Sequence, residues 1–392
     1  MPRVLRIINR FNLGGPTYNA AYLTKHLPER FETTLLGGMK DASEDSSQFI
    51  VENLGITPMV FPEMQRSINP YRDYKALQHL KRIIREVKPD IVHTHASKPG
   101  ALGRLAAHQC GVPVIIHTFH GHVFHSYFNS FTTGVYKAFE RKLASMSTQI
   151  IAISEGQKKE LAEVHRICPP EKISVIPLGF DLQRFQDGQA EKRTIFREEF
   201  HLSETDIAIG IVGRLVPIKN HELFLKAIRN IKEKSNKTVK AFIVGDGESR
   251  QNIEDCCRTN GLTFSNDSED HVDVYFTSWV KNVDYVNAGV DIIALTSKNE
   301  GTPVSLIEAQ ASNKAIVSTN VGGIENIVLP NRTALLSEPN DDTLFMENLL
   351  EMVNNESLRK EFGKEGWEFV KDKFHYHRLV DDITSLYDKL LV

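Results

Sequence analysis

Short apolar runs rich in β-branched residues alternate along the chain with longer stretches whose apolar positions recur every three or four residues. The first pattern is that of strands buried on both faces and the second that of amphipathic helices, so their alternation predicts parallel sheets covered by helices. In the first half the strands fall at residues 4–8, 33–36, 58–61, 91–94, 114–118, 150–153 and 173–176, with helices between most of them, notably 71–87 and 131–147. Around residues 177–181 the periodicity stops and a polar stretch, 183–193, follows; together they read as an interdomain linker. A second series starts at 207–212 and continues at 239–244, 272–276, 291–295 and 315–318. Near the end Leu379, Ile383, Leu386, Leu390 and Leu391 form the stripe of one more amphipathic helix. The fold class expected is α/β, with two Rossmann-like domains over 1–182 and 183–372 and a helical segment over 373–392.

Open α/β sheets bind ligands outside the carboxyl ends of their strands, so the loops that follow the strands carry the candidate chemistry. The most informative is Glu300-Gly-Thr-Pro-Val-Ser-Leu-Ile-Glu308, after the strand at 291–295. Thr302 as N-cap and Pro303 at the first helical position predict a sharp turn into a helix. Proline fills a position whose N–H would have no partner, so the amides of Val304 and Ser305 stay free beside the positive helix end, a site for phosphate. Glu308 lies five residues further along, about 7–8 Å from the helix mouth at about 1.5 Å per residue, where a ribose joined to a bound diphosphate comes within reach. Glu300 and Gly301 precede the turn and face whatever lies beyond the other phosphate.

Val212-Gly-Arg-Leu-Val-Pro-Ile-Lys-Asn220 ends the strand at 207–212 with Arg214 and Lys219 five apart, ahead of a helix capped by Asn220. A planar guanidinium and a point-charge ammonium can meet one diphosphate, or they are two solvated surface cations. Gly245 and Gly247 in Val244-Gly-Asp-Gly-Glu248 form another loop open to close approach, and Ser278-Trp-Val280 follows the strand at 272–276. Val321-Gly-Gly-Ile-Glu-Asn326 is either a further ligand turn or a connector. In the first half Gly14 and Gly15 precede a helix, while Val92-His-Thr-His and Val114-Ile-Ile-His-Thr-Phe-His-Gly-His122 set several imidazoles at consecutive strand ends. These read as a metal set, for which no carboxylate or Cys completes the ligand count, or as structural groups with satisfied bonds.

Length and composition narrow the picture. A chain of 392 residues exceeds one ordinary core, and apolar and charged shares of 41% and 25% are those of a soluble globular protein. The net charge of −3 gives nucleic-acid binding no support. Cys110, Cys168, Cys256 and Cys257 show no metal spacing, which favours a reducing cytoplasm. The first strand begins almost at Met1, leaving no room for a secretion signal, and the apolar runs fall short of the roughly 20 residues that span a bilayer.

The glutamate pair of residues 300–308, the Gly-Arg…Lys segment of 213–219 and His120-Gly121 resemble the signature of the retaining GT-B glycosyltransferases of the family-4 type, which use nucleotide-sugar donors. The resemblance spans nearly the whole chain and is strongest between residues 207 and 327. It implies two domains facing a central cleft, with the segment 373–392 crossing back to the N-terminal domain. In that scheme Arg214 and Lys219 neutralise the leaving nucleotide diphosphate, Glu300 contacts the donor hexose, Glu308 binds the ribose hydroxyls and His120 touches the sugar near the reacting carbon. Gly14 and Gly15 face the donor phosphates. Gly245, Gly247, Gly301, Thr302, Pro303, Val304 and Ser305 line the donor site, and Val280 lies beside the nucleobase. As in the family, no dedicated base is expected; the departing phosphate oxygen takes the acceptor proton on the same face, giving retention. No cofactor and no metal are expected, since no aspartate pair flanking one residue stands at an apolar strand end.

The activity so implied moves a hexose or N-acetylhexosamine from an NDP-sugar, UDP being the favoured nucleotide, to a saccharide or lipid-diphosphate-linked acceptor. The His-Gly-His-Val-Phe stretch looks most like family-4 members of bacterial polysaccharide assembly. The helix at 71–87 and its continuation carry Arg72, Lys75, Lys81, Arg82, Arg85 and Lys88; residues 123–142 mix Phe124, Tyr127, Phe128, Phe131 and Tyr136 with Lys137, Arg141 and Lys142. Such a basic face with aromatic neighbours suits peripheral contact with the anionic inner face of a plasma membrane, and equally a solvated helix over a core. Two rivals share the architecture. A GT-B-shaped sugar-nucleotide epimerase would need carboxylates where the N-terminal half has only histidines. An NAD-dependent oxidoreductase would need an acid after the second strand, where residues 33–36 run into Gly37-Gly38.

Overall fold

The computed structural model describes residues 1–10, 15–38, 48–64, 69–121, 130–268 and 271–391. They form two compact units, Met1–Phe180 joined by Phe374–Val392, and Asp181–Lys373.

In the first unit β1 (Arg3–Arg10), β2 (Glu32–Gly38), β3 (Met59–Phe61), β4 (Ile91–His95), β5 (Val114–Phe119), β6 (Gln149–Ala152) and β7 (Ile173–Val175) make one parallel sheet in the order β3-β2-β1-β4-β5-β6-β7. The order reverses between β1 and β4, which pair from Val4↔Ile91 to Ile7↔Thr94. That reversal is the switch point at which an open sheet leaves room for a ligand beyond its strand ends. β4 and β5 are buried along their whole length. The helix Pro70–Val87 lays Ala76, Leu80, Ile83 and Ile84 on the sheet. The helix Tyr376–Leu391 belongs to this unit. Its Leu379, Val380, Ile383 and Tyr387 join Val4, Leu23, Ile91 and Val114 in one apolar cluster, and Arg378 donates to the carbonyls of Pro177 and Leu178.

In the second unit β8 (Ile207–Val212), β9 (Val239–Val244), β10 (Phe264–Ser265), β11 (Val274–Ser278), β12 (Ile292–Leu295), β13 (Ala315–Thr319) and β14 (Ala334–Ser337) are ordered β10-β11-β9-β8-β12-β13-β14, all parallel. Here the switch point lies between β8 and β12. Ile209, Ile211, Phe224, Ile243, Phe345 and Leu349 sit in the core around it.

The strand and helix pattern is the one expected, with three differences. β10 and β14 escaped the periodicity; both are short edge strands, where one side of the ladder is missing and few apolar side chains are needed. The polar stretch 183–193 is not a linker. It forms the helix Gln183–Gln186 and the start of the helix Gln189–Glu199, which bury Phe185, Phe196 and Arg197 within the second unit. Arg193 and Arg197 both reach Asp291, so polar residues there hold structure by charge and look like a loop to a reading of apolar spacing. Among the described residues no helix is long and apolar enough to cross a membrane.

Candidate active site

At the second switch point the loops leaving β8 and β12 are tied together. Lys298 N–H donates to the carbonyl of Ile218 at 2.8 Å and Thr296 Oγ1 to that of Lys219 at 2.8 Å. Lys219 ends a 3₁₀ turn, Pro217–Lys219, and Asn220 follows in the left-handed conformation at φ 50°. Asn220 makes no side-chain cap to the helix His221–Lys234, contrary to expectation, because its backbone is used for the reversal itself. The Lys219 ammonium donates to Glu300 Oε1 at 2.5 Å, and Ser297 Oγ donates to the same oxygen at 2.5 Å. The side chains of Lys219 and Glu300 are only 20% and 9% exposed, so this pair is held rather than drifting in solvent. Arg214 is exposed and has no side-chain partner among the described residues. His221, buried beside Lys219, has its pKa lowered to about 4 by desolvation and by that ammonium, which keeps it neutral.

Glycines shape this edge. Gly322, at φ 57°, lies so close to the Glu300 carbonyl that a Cβ would stand 1.8 Å from its oxygen, and Gly323 relates to the Gly301 carbonyl in the same way at 1.9 Å. The Val321-Gly-Gly turn is therefore a brace for the Glu300 loop, with Gly323 N–H donating to the Glu300 carbonyl at 3.2 Å. A Cβ at Gly245 or Gly247 would meet the carbonyl oxygens of Gly213 or Leu215 at 2.0 and 2.4 Å. Their smallness is required by the packing of one loop on the next.

The helix Val304–Ala311 starts one residue later than the sequence suggests. Pro303 takes the cap position at φ −70°, ψ 104°, and Thr302 precedes it without a capping bond. Leu306 N–H returns to the Pro303 carbonyl at 3.1 Å, so Val304 and Ser305 carry the first-turn amides that have no acceptor within the helix. Glu308, half-buried on this helix, has no side-chain partner among the described residues. Burial pushes its carboxyl up to about 7; the nearby Arg184 guanidinium opposes the shift and Asp284 adds to it. Arg184 and Lys192 both pair with Asp284 at 2.9 Å. β11 extends to Ser278, so that residue ends the strand, at φ 55°, and exposed Trp279 and half-buried Val280 follow it.

In the first unit Gly15 opens the helix Gly15–His26, while Gly14, His122, Phe124, Tyr127 and Phe128 lie outside the described residues. The histidines of β4 and β5 divide by face. His117 bonds Thr94 Oγ1 through Nδ1 at 2.9 Å, and its ring fills the space beside Gly100. His93 bonds the Tyr387 hydroxyl through Nδ1 and Thr118 Oγ1 through Nε2, both at 2.7 Å. His93 is thus satisfied at both nitrogens and His117 is held at one, both as structural groups. His95 Nδ1 meets His120 Nε2 at 2.9 Å, whereas His95 Nε2 and His120 Nδ1 are buried without a partner among the described residues. Desolvation lowers the pKa of His120 to about 4 and holds those of His93, His95 and His117 well below the usual value. The turn after His120 is fixed by Gln157, which donates to the Gly121 carbonyl at 2.9 Å while accepting from Ile153 N–H at 2.9 Å.

The structure therefore joins Lys219 to Glu300 and His120 to His95, and adds Ser297, Gly322, Gln157 and His95 as supporting residues. His95 and Gly322 stood in segments that the sequence marks, the histidine-bearing strand end and the Val321-Gly-Gly turn. Ser297 and Gln157 are single polar residues whose contacts depend on which strand ends lie side by side. Among the described residues no three His, Cys, Asp or Glu side chains are grouped to hold a metal ion.

Two family profiles match the chain: one described as Glycosyltransferase Family 4 over residues 13–184, and one described as Glycosyl transferases group 1 over residues 192–369. The UDP-Gal:alpha-D-GlcNAc-diphosphoundecaprenol alpha-1,3-galactosyltransferase of Escherichia coli is 29% identical over 369 residues, covering 93% of this chain and 90% of that enzyme. The capsular polysaccharide biosynthesis glycosyltransferase CapM of Staphylococcus aureus is 26% identical and covers 84% of each chain. Among solved structures, HepE of Anabaena in complex with UDP superposes with a TM-score of 0.75 at 17% identity, over 99% of this chain and 100% of that one, a likeness of fold.

Proposed function

From the premise that the chain belongs to the family-4 glycosyltransferases of GT-B fold, with a group 1 domain in its second half, we propose a specific transfer reaction. A hexose or N-acetylhexosamine moves from a UDP-linked donor to a saccharide carried on a lipid diphosphate, with retention of configuration and without a metal. The observation that carries this reading is the second switch point. There a partly buried Lys219–Glu300 pair, the unpaired Arg214 and the free amides of Val304 and Ser305 stand on loops at one sheet edge. The choice of UDP and of a lipid-diphosphate acceptor leans on the name of the Escherichia coli relative.

In the proposed reaction the bond between the anomeric carbon and the diphosphate oxygen breaks, and its electron pair leaves with the diphosphate. Lys219, Arg214 and the two amides offset that charge. The acceptor hydroxyl adds to the anomeric carbon on the same face, and its proton passes to the departing phosphate oxygen. Glu300, whose carboxylate is oriented by Ser297, holds the sugar; Glu308 receives the ribose hydroxyls; His120, neutral at physiological pH, contacts the sugar. Exposed Tyr71 and Tyr74, with Lys75 4.5 Å above the Tyr71 ring, support peripheral contact with an anionic bilayer, to which Arg141 does not contribute because it is bound to the carbonyls of His165 and Arg166.

A panel of UDP- and GDP-sugars offered with a diphospholipid-linked N-acetylglucosamine in anionic vesicles, with and without EDTA, tests the proposal. Product in EDTA from one UDP-sugar, with the donor's anomeric configuration kept and the product lost in Lys219→Ala, is expected. An inverted linkage, a metal requirement, or turnover indifferent to Lys219 would refute the corresponding part.

A further inference from the structure

The histidines of the first unit form a chain whose polarity can be worked out bond by bond. Arg6, fully buried, donates from Nη2 to the Tyr387 hydroxyl at 3.2 Å. Arg6 can only donate, so among the described residues His93 Nδ1, 2.7 Å away, is the acceptor for that hydroxyl's proton. His93 then carries its proton on Nε2 and donates to Thr118 Oγ1 at 2.7 Å. Both nitrogens of a neutral imidazole are thus fixed by β1, β5 and the helix Tyr376–Leu391.

Alternation along the strands puts His93 and His95 on one face of β4, and the register His95↔Thr118 places His120 diagonally opposite on the continuation of β5. The His95 ring stacks on the fixed His93 ring, with centroids 4.3 Å apart and planes at 28°. Directly after it, Ala96 adopts φ 67°, ψ 167°, a conformation strained for any residue but glycine, and ends the strand abruptly. His95, 1% exposed, is left with one engaged nitrogen, Nδ1, bonded to His120 Nε2 at 2.9 Å. The outer nitrogens, His95 Nε2 and His120 Nδ1, are buried and have no partner among the described residues, and both residues line a small cavity with Asn19 and Thr118. In a neutral pair sharing one hydrogen bond, one outer nitrogen must be a donor and the other an acceptor.

We infer that His95 is a positioning residue for His120: it occupies Nε2, fixes the ring, and leaves Nδ1 as the nitrogen open to a further partner. This rests on His120 being the sugar-contacting histidine of the proposed reaction. A buried imidazole with both nitrogens free could rotate; one held by a stacked, hydrogen-bonded neighbour cannot do so without losing that bond.

The test compares His95→Ala, His95→Asn, His95→Gln, His120→Ala and the double variant His95→Ala/His120→Ala in the full chain. Each is assayed for transfer from its UDP-sugar and for thermal melting. An asparagine amide reaches about where His Nδ1 stood, whereas a glutamine amide reaches the Nε2 side. His95→Ala is expected to lower kcat by roughly 10- to 100-fold with donor KM changed less than about threefold, in the range of a lost acid–base or orienting contact. His95→Asn should recover most of the loss and His95→Gln little. The double variant should lose no more than His120→Ala alone, the non-additivity of residues that act as a unit. Two-bond proton–nitrogen correlations of histidine-labelled protein should show the His120 Nε2 signal move in His95→Ala. Losses that multiply in the double variant, or His95→Ala activity within twofold of wild type while His120→Ala is dead, overturn the positioning role. Full activity in His120→Ala overturns the reading of His120 itself, and this inference with it.

Discussion

The second unit builds its candidate chemistry from charges on loops, the first from neutral imidazoles set into strands. Lys219 and Glu300 neutralise one another at 2.5 Å and remain partly open to solvent, in keeping with the diphosphate contact proposed for them. His93, His95 and His117 are almost wholly buried and bonded to the scaffold, and desolvation keeps them uncharged. In the proposed reaction the charged diphosphate meets groups whose field is strong and whose partners can be exchanged, and the neutral sugar meets a group whose geometry is rigid and whose burial prevents protonation. The two regions also titrate in opposite senses: burial raises the Glu308 carboxyl to about 7 and lowers His120 to about 4.

The largest effect that sharpens this contrast is expected for Lys219→Ala, with kcat/KM down roughly 10²- to 10³-fold, the range for removing one preorganised group that stabilises developing negative charge. Arg214→Ala should cost less, about tenfold, because an exposed guanidinium is already well solvated. Equal losses in steady-state kinetics would mean that Lys219 gains nothing from its partly buried setting.

Gly322→Ala comes next. A Cβ 1.8 Å from the Glu300 carbonyl oxygen and a left-handed φ of 57° force the Glu300 loop to move, and the backbone alone costs roughly 1–2 kcal/mol. Turnover should fall together with melting temperature, while a Gly121→Ala control, where a Cβ meets nothing within 4 Å, should leave stability nearly unchanged.

A pH series separates the two units. The histidines have folded-state pKa values below the usual 6.5, so the unfolded chain binds protons that the native first unit does not. Their contribution is intact above about 6.5 and is lost as pH falls towards 4. Glu308 is raised from about 4.5 to about 7, so the native second unit holds a proton that the unfolded chain releases; its burden grows as pH climbs through that window. Hydrogen exchange should show first-unit amides losing protection on acidification. Glu308→Gln should melt higher than wild type at pH 8 by more than it does at pH 5. If the carboxylate form binds ribose, wild-type donor KM should fall as pH rises through about 7, and Glu308→Gln should flatten that dependence. A uniform response of both units would erase the contrast.

The smallest effect is expected from Tyr387→Phe. It leaves His93 Nδ1 without its donor, a buried deficit of about 1–3 kcal/mol, and should lower stability without changing donor KM.

What the sequence determined by itself was the periodic part: the long strands of both sheets, the helices over them, and the placing of Arg214, Lys219, Glu300 and His120 in loops after strands and of Glu308 on the helix that follows. That information is local, because side-chain alternation and helical spacing repeat within a few residues. The edge strands β10 and β14 were not legible because runs of two and four residues are too short to show a period, and the helices within 183–193 because charge pairing with Asp291 does part of the holding. Tertiary structure alone decided the partners. Lys219 finds Glu300 across 81 residues because β12 lies beside β8, and Tyr387 finds His93 across 294 because the last helix packs on the first sheet. It also decided the protonation states of Glu308 and the histidines, which follow from burial, a property that no residue possesses until the chain has closed around it.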